Sequence, residues 1–337
     1  MAYQESIIAA LSDIPPLVSS FAALQGWTVD NTTPAEPIFT HPTLVGAVPH
    51  KLRIRISGTN NQNQDVIWEP QGVAGMAVAA CRSPKLPNTL TNPLIATPTK
   101  LHTFCSLLPE PFIALVVEYG FNLYRHLYFG YPEKVGSYDG GELISGTLLY
   151  SLENSPGSAI DYGDRNKNKY LFQGFSTASA PLLTEDSLCG GMRCEHANNP
   201  QPYRKFNDQY SGVTPLSAMP SDCIIGGFRD SINEGYLARV ESSYAGANIL
   251  VPINLYATEP ITSDTLFVPL GHPAGIRTVH MQDVEPGAQI DIAGDNWRCF
   301  PASAKYDFVT AVNGPSGQGF WPTQQTSYYV GYAYPEG

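Results

Sequence analysis

Charged residues are scarce in this chain. They make up 15% of its 337 residues, against about 25% in an average soluble protein. Exposed helix faces are built largely from Lys, Glu, Arg and Gln, so this scarcity disfavours a mainly helical protein. Glycine and proline, by contrast, number 30 and 29, and both are poor residues for helix interiors. We therefore expect a mainly β, loop-rich protein.

Basic residues are the scarcer of the two charged classes. Lys and Arg total 19 against 30 Asp and Glu, which leaves a net charge of −11. This excess of negative charge disfavours extended binding to the phosphate backbone of nucleic acids, so we expect no specific nucleic-acid partner. No run of 18 apolar residues occurs, and Met1–Leu11 lacks the basic start and apolar centre of a secretory signal. We expect no membrane partner and synthesis in the cytoplasm.

Cysteine is also sparse, with six thiols in the chain, far below the density of a disulfide-stapled scaffold. Cys189, Cys194 and His196 lie close enough in sequence to suggest three zinc ligands. Their spacing is C-x4-C-x-H without a local fourth ligand, so unligated thiols are the leading interpretation. A Cys189–Cys194 disulfide and a metal site are the alternatives. We expect no metal and no other cofactor.

The N-terminus shows the clearest helical periodicity. A first apolar stripe consists of Ile7, Ile8, Leu11 and Ile14. This stripe predicts a helix that ends at Pro15-Pro16, and a second stripe over 17–24 predicts another helix that stops at Gly26. We expect residues 1–30 to form a short helical arm and 31–337 a β-rich body. The first stripe could pack on the protein's own body or on a neighbouring subunit, and Ile7, Ile8 and Leu11 are the candidate subunit contacts.

Period-2 alternation and short β-branched runs predict strands through the body. Lys51–Ser57 alternates apolar with basic residues, and Pro111–Tyr119 is an apolar run. Further short strands are predicted at Asn248–Tyr256, Thr265–Pro269, Gly275–His280, Gln289–Ile292, Asn296–Phe300 and Tyr328–Tyr334. Residues 152–221 are predicted as a loop-rich insertion in which only Tyr170–Phe175 forms a strand. The expected fold is an antiparallel sandwich or barrel-like core with a short N-terminal helical arm and long loops.

One combination of residues suggests acid–base chemistry. His126 has Glu118, Glu133 and Glu142 nearby in sequence, and a histidine with carboxylates can transfer protons. No nucleophile or set of oxyanion donors is recognisable around it, and the chain has neither a serine-hydrolase elbow nor a phosphate loop. We therefore expect a structural histidine, no catalytic residue and no enzyme, with a polysaccharide hydrolase as a minor alternative.

Three segments carry glycine-rich and aromatic motifs. The first reads YRHLYFG at 124–130 and EKVGSYDGG at 133–141. The second runs from LG at 270–271 through GIR at 275–277 and PG at 286–287 to IDIAGDNWRCFP at 290–301. The third is YVGYAY at 329–334. Together they resemble, in the same order, motifs of a group of tailed-bacteriophage virion proteins. In this chain Pro335 and Glu336 replace the basic end of the family pattern, and residues 152–221 are not matched.

The resemblance implies a structural subunit of a phage tail or neck, of the tail terminator, completion or baseplate kind. Such a subunit acts through subunit contacts and not through catalysis. The implied partners are copies of itself in a ring and other tail or neck virion proteins, and the implied location is the virion. An acidic subunit also suits a conduit, because negative walls repel the phosphates of DNA that passes nearby.

A baseplate or host-recognition module that binds carbohydrate is the alternative function. The chain has four tryptophans that could form stacking platforms in exposed loops, namely Trp27, Trp68, Trp297 and Trp321. The competing interpretation is that these side chains fill the core and the contacts between subunits. The sequence has no repetitive stalk of the kind expected in a receptor-binding fibre.

Metal removal should leave the fold unchanged, because the Cys189, Cys194 and His196 cluster has no local fourth ligand. Incubation with EDTA is expected to leave the melting temperature at its original value. A stoichiometric zinc content, together with a fall in melting temperature on chelation, would contradict the prediction.

Overall fold

The computed structural model describes residues 1–40, 51–57, 65–71, 79–82, 85–86, 94–95, 97–120, 123–147, 171–172, 190–195, 203–205, 224–226, 250–261, 264–281, 283–292, 294–302 and 330–337. Within these residues the chain forms one α-helix and the strands β1 to β23. Every strand pairing among them is antiparallel. The expected mainly β fold with an antiparallel core is confirmed.

The N-terminal segment begins with a strand. Ala2–Ile7 forms β1, Leu11–Asp13 forms a single 3-10 turn, and Ile14–Leu24 forms helix α1. The first predicted helix is therefore wrong, because β1 pairs along its whole length with a neighbouring strand. Pro15 and Pro16 lie in the first turn of α1 instead of ending a helix. Proline is tolerated there because the backbone N–H groups of the first turn have no partner within the helix.

The second predicted helix is confirmed. It ends at Leu24, and Gly26 follows at φ +92°, a left-handed conformation that glycine adopts without a steric penalty.

The remaining strands are β2 Thr28–Asp30, β3 Ile38–Thr40, β4 Lys51–Ser57, β5 Asp65–Gln71, β6 Ala79–Arg82, β7 Lys85–Leu86, β8 Leu94–Ile95, β9 Pro98–Ser106, β10 Phe112–Tyr119, β11 Leu123–Gly130, β12 Pro132–Lys134, β13 Asp139–Gly146, β14 Gly190–Glu195, β15 Tyr203–Lys205, β16 Ile224–Gly226, β17 Leu250–Val251, β18 Leu255–Ile261, β19 Asp264–Pro273, β20 Arg277–His280, β21 Gln289–Ile292, β22 Asp295–Pro301 and β23 Val330–Pro335.

A seven-stranded sheet, here called the central sheet, organises the fold. Its strand order is β1-β9-β10-β11-β13-β14-β15. Side chains that alternate along β10 enter two different hydrophobic clusters: Ala114 and Val116 point to one face, Leu115 and Val117 to the other. Because both faces are buried, the run reads as continuously apolar in sequence instead of alternating with polar residues.

Two layers cover the two faces of the central sheet. On one face lie α1 and the N-terminal sheet, of order β2-β3-β4-β5-β6, which contribute Val18, Phe39 and Trp68 to the shared cluster. On the other face lie aromatic residues of the C-terminal sheet, of order β17-β20-β23-β22-β21, with further residues from a small sheet of order β12-β19-β18-β16. The protein thus has a sandwich-like core of three layers.

Several predicted strands match closely. The strand at Lys51–Ser57 is β4, and the strand at Gln289–Ile292 is β21. β21 and β22 pair as a hairpin across Gly294, at φ +93°, as the Gly294-Asp295 signal predicts.

The predicted insertion at 152–221 contains structure that was not expected. β14 and β15 both fall inside it and extend the central sheet beyond β13. Leu171 and Phe172, predicted as part of a strand, lie instead in a turn with both side chains buried. The other residues of 152–221 lie outside the described part of the chain. β14 was missed because its sequence, GGMRCE, is dominated by glycine and lacks β-branched residues.

Truncation of Ile8 should destabilise the fold, whereas truncation of Ile7 should not. Ile8 is buried in the cluster between α1 and the central sheet, while Ile7 is 86% exposed. We expect Ile8→Ala to lower the free energy of unfolding by about 2–5 kcal/mol and Ile7→Ala to change it by less than about 0.5 kcal/mol. Urea unfolding of the two variants tests this, and equal losses would contradict the assigned positions.

Candidate functional site

The three motif segments meet in one packed layer of the protein. We call their described residues, within 124–141, 270–301 and 329–334, the motif layer. Tyr124 and Tyr128 of the first segment share one hydrophobic cluster with Phe300 of the second and with Tyr332 and Tyr334 of the third. Segments that are far apart in sequence therefore form a single structural unit.

His126 lies at the centre of the motif layer. Its side chain has no exposed surface. Its Nδ1 is 2.9 Å from the Tyr334 hydroxyl and its Nε2 is 2.8 Å from the carbonyl oxygen of Pro301. Burial, together with the nearby charge of Arg125, lowers the pKa of His126 to about 3, against the opposing effect of the Pro301 hydrogen bond. The imidazole is thus a neutral structural group that joins all three segments.

Buried tyrosine hydroxyls complete the polar contacts of this layer. The Tyr128 hydroxyl donates to the carbonyl oxygen of Ala274 over 2.7 Å. The Tyr332 hydroxyl accepts from the backbone N–H of Leu171 over 2.8 Å. Burial raises the pKa of both tyrosines well above their ordinary value. They stay protonated and serve as hydrogen-bonding groups of the core.

The exposed rim of the motif layer is held by strand pairing and one ion pair. β12 pairs with β19, and the backbone N–H of Val135 donates to the carbonyl oxygen of Leu270 over 3.0 Å. Arg277 donates to Glu133 over 2.9 Å. The first and second motif segments are therefore connected at the surface as well as in the core.

A polar cleft of about 340 Å³ lies between the motif layer and strands β1, β9 and β10 of the central sheet. Its floor is the face of the central sheet on which Glu5 lies opposite His102, and Lys100 opposite Glu118. The turn at 285–287 and residues of β22 form its roof. The cleft therefore lies at the junction between the N-terminal strand β1 and the C-terminal sheet.

His102 connects the charged groups of the cleft floor. It is only 3% exposed, with Nδ1 2.9 Å from the Tyr3 hydroxyl and Nε2 3.5 Å from Oε2 of Glu118. Glu5 pairs with Lys100 at 3.1 Å. Burial alone would raise the pKa of Glu5, but the hydrogen bond from Lys100 and the charges of Lys100 and His102 hold it below its ordinary value. Burial raises the pKa of Tyr3 well above its ordinary value.

Arg298 holds the roof of the cleft in place. Its Nε forms an ion pair with Glu336, and its Nη1 donates to the carbonyl oxygen of Gly287 over 2.8 Å. The guanidinium carbon lies 4.6 Å from the centre of the Tyr3 ring, a cation–π distance. One side chain therefore ties β1, the 285–287 turn and the C-terminal residues together.

The residues considered for acid–base chemistry do not meet. Glu118 lies in the cleft, whereas His126 is enclosed in the motif layer. Glu133 pairs with Arg277 at the surface, and Glu142 is buried against Arg193 with contacts of 2.6 and 2.9 Å. Each carboxylate has a separate structural environment.

The three candidate subunit contacts also separate. Ile8 and Leu11 are buried in the cluster between α1 and the central sheet, on the protein's own body. Ile7 remains exposed on β1, opposite Lys100. Of the three, only Ile7 presents its side chain at the surface.

Two of the four tryptophans are core residues. Trp27 and Trp68 are buried in the cluster beneath the central sheet. Trp297 is partly buried, with Arg277 5.7 Å from its ring centre, and Trp321 lies outside the described residues. The predicted stacking platforms are thus absent at Trp27 and Trp68.

Both arginines on the basic face of β4 are paired with carboxylates of the same chain. Arg53 and Arg55 both pair with Glu69 on β5, and Arg53 also pairs with Glu36 at 2.9 Å. An acidic partner from another molecule is not needed to balance these charges.

The thiol cluster is described only at Cys194, which lies on β14, while Cys189 and His196 lie outside the described residues. In the part of the chain that is described, no group of three or more His, Cys, Asp or Glu residues is placed to hold a metal ion. Burial raises the pKa of the free thiols Cys105 and Cys299 to about 12, which makes them unreactive.

Most residues of the cleft are not recognisable from the sequence alone. Glu5, His102 and Arg298 come from three distant segments, and only the pairing of β1 with β9 and the packing of β22 bring them together. The alternation of β9 could have identified Lys100 and His102 as neighbours on one face, but not their partners.

No protein-family model matches the chain, and no curated protein matches it. No helix within the described ranges is long and apolar enough to cross a membrane.

The buried His126 should make stability depend on pH. Above about pH 6.5 the imidazole is neutral in both the folded and the unfolded chain. Between pH 6.5 and about 3 the unfolded chain binds a proton that the folded chain does not. The free energy of unfolding should therefore fall as the pH is lowered, by up to about 1.4 kcal/mol per pH unit from this group.

His126→Gln should weaken this pH dependence, as measured by urea unfolding between pH 7 and 4. Tyr128→Phe is the matched control, because it removes a buried hydrogen bond but no group that titrates in this range. It should lower stability by a similar amount at every pH. An unchanged pH dependence in His126→Gln would contradict the assignment.

Proposed function

We propose that the chain is a structural subunit of a bacteriophage tail or neck, of the tail terminator or completion kind. In this proposal it forms a ring with copies of itself and contacts other tail or neck proteins of the virion. It acts through these contacts and not as an enzyme.

The observation that supports the proposal best is the convergence of the three motif segments. His126, Pro301 and Tyr334 come from different segments, and the His126 imidazole lies 2.9 Å from the Tyr334 hydroxyl and 2.8 Å from the Pro301 carbonyl oxygen. Residues that resemble the virion proteins are therefore residues that build the fold. If the resemblance reflects a shared architecture, the matching residues should be those that build the fold. Contacts between distant segments need specific side chains at both positions.

The open edge of the central sheet supports assembly with further copies. Among the described strands, β1 has a neighbour on one side only. The backbone N–H of Ile8 donates to Thr99, so by alternation the backbone groups of Tyr3, Glu5 and Ile7 point away from β9. An unpaired edge with an exposed isoleucine is a surface that another chain can extend or cover.

The net charge of −11 is compatible with a passage for DNA, because like charges prevent phosphates from adhering. Among the described residues, Arg53 and Arg55 on β4 and Arg277 in the motif layer are paired with carboxylates of the same chain. They provide no strongly basic surface for nucleic acid.

Assembly should depend on Ile7. We expect the purified chain to form rings or stacked rings in light scattering and negative-stain microscopy. Ile7→Asp should yield a folded, smaller species, because it places an unpaired charge in an apolar contact. Leu24→Asp is the matched control, since Leu24 is 80% exposed at the end of α1 and does not belong to β1.

Leu24→Asp should leave the rings intact, and both variants should stay folded, as judged by circular dichroism. A chain that stays monomeric at all concentrations would contradict the proposed function. Rings that are unaffected by Ile7→Asp would contradict the role of β1.

A further inference from the structure

The polar cleft has the properties of a binding site for a small neutral ligand. Its volume of about 340 Å³ is at the lower end of the range for small-molecule sites, about 300–1,000 Å³. It lies outside the motif layer's buried hydrogen bonds, so the structural role of His126 does not account for it.

The two permanent cations that line the cleft, Lys100 and Arg298, are each paired with a carboxylate. Lys100 pairs with Glu5 at 3.1 Å, and Arg298 pairs with Glu336. Glu118 lies 3.5 Å from His102. An anion would find both cations already paired, and the exposed Glu285 at the turn would repel it. A phosphate or carboxylate ligand is therefore disfavoured.

Two side-chain atoms at the cleft, one hydrogen-bond acceptor and one donor, make no hydrogen bond to the described residues. Glu118 uses only Oε2 in its contact with His102, so Oε1 is an available acceptor. Arg298 uses Nε and Nη1, so Nη2 is an available donor. Both side chains line the cleft.

A hydroxyl group both donates and accepts hydrogen bonds. Adjacent hydroxyls can therefore engage Glu118 as acceptor and Arg298 as donor without adding net charge. The rings of Tyr124 and Phe300, which also line the cleft, add apolar surface for the C–H groups of a sugar ring. We propose that this cleft binds a neutral polyhydroxylated ring, such as a single hexose residue of a glycan.

The binding proposal is independent of ring assembly. The residues that carry it all belong to one chain, so a monomeric protein would contain the whole cleft. Failure to assemble and failure to bind are thus separate results.

Saturation-transfer NMR on the full chain tests the proposal. The neutral probes are glucose, galactose, mannose and N-acetylglucosamine, and the anionic probe is glucose 6-phosphate. We expect transfer to at least one neutral sugar and weaker transfer to glucose 6-phosphate. No transfer to any neutral sugar at millimolar concentration, or stronger transfer to glucose 6-phosphate, would overturn the proposal.

Glu118→Ala should weaken binding of the neutral sugar by at least about tenfold, as expected for loss of a hydrogen bond to a charged group. Glu133→Ala is the matched control, because Glu133 is exposed and pairs with Arg277 outside the cleft. It should leave the affinity unchanged, and equal losses in both variants would overturn the assigned site.

A second variant keeps the test valid if Glu118→Ala does not fold. Arg298→Lys retains the positive charge but lacks the Nη2 donor, so it should also weaken binding. Arg277→Lys is its control on the surface of the motif layer. Unchanged binding in Arg298→Lys would contradict the proposed role of Arg298 in the cleft.

Discussion

The central sheet is buried on both faces, and the rest of the structure depends on this constraint. β10 sends Ala114 and Val116 into one cluster and Leu115 and Val117 into the other. Neither face can be left to water, because each carries a continuous row of apolar side chains. The chain therefore needs two covering layers, which come from opposite ends of the sequence.

The way these covering layers join the central sheet creates the two surface features on which the proposals depend. β1 closes one side of the sheet and is fixed to the C-terminal residues through the contact of Tyr3 with Arg298. Among the described strands, this junction leaves one edge of β1, next to Ile7, without a partner strand, and it forms a polar cleft at His102. The edge supports the proposed contacts between copies, and the cleft supports the proposed binding of a sugar. Both features depend on how the N- and C-terminal segments meet.

The sequence alone predicted the elements whose environment is local. Lys51–Ser57 has one polar and one buried face, so polar and apolar residues alternate in its sequence. The β21–β22 turn contains Gly294, which is typical of a tight hairpin turn. The segment Met1–Ile7 was misread because Ile7 and Ile8 look like one helical stripe, although the first is exposed and the second buried. Only pairing with β9 determines that difference. The cleft was not predictable for the same reason, since its charged partners come from β1, β9, β10 and β22.

Hydrogen exchange, measured by mass spectrometry on assembled and dissociated chain, tests the account most directly. It predicts that Phe112–Tyr119 and Leu123–Gly130 exchange slowest in both states, because they lie between the two covering layers. Ala2–Ile7 should exchange quickly in the dissociated chain and become protected on assembly. The account would be contradicted if the two central strands exchanged as quickly as β1, or if β1 exchanged equally fast in both states.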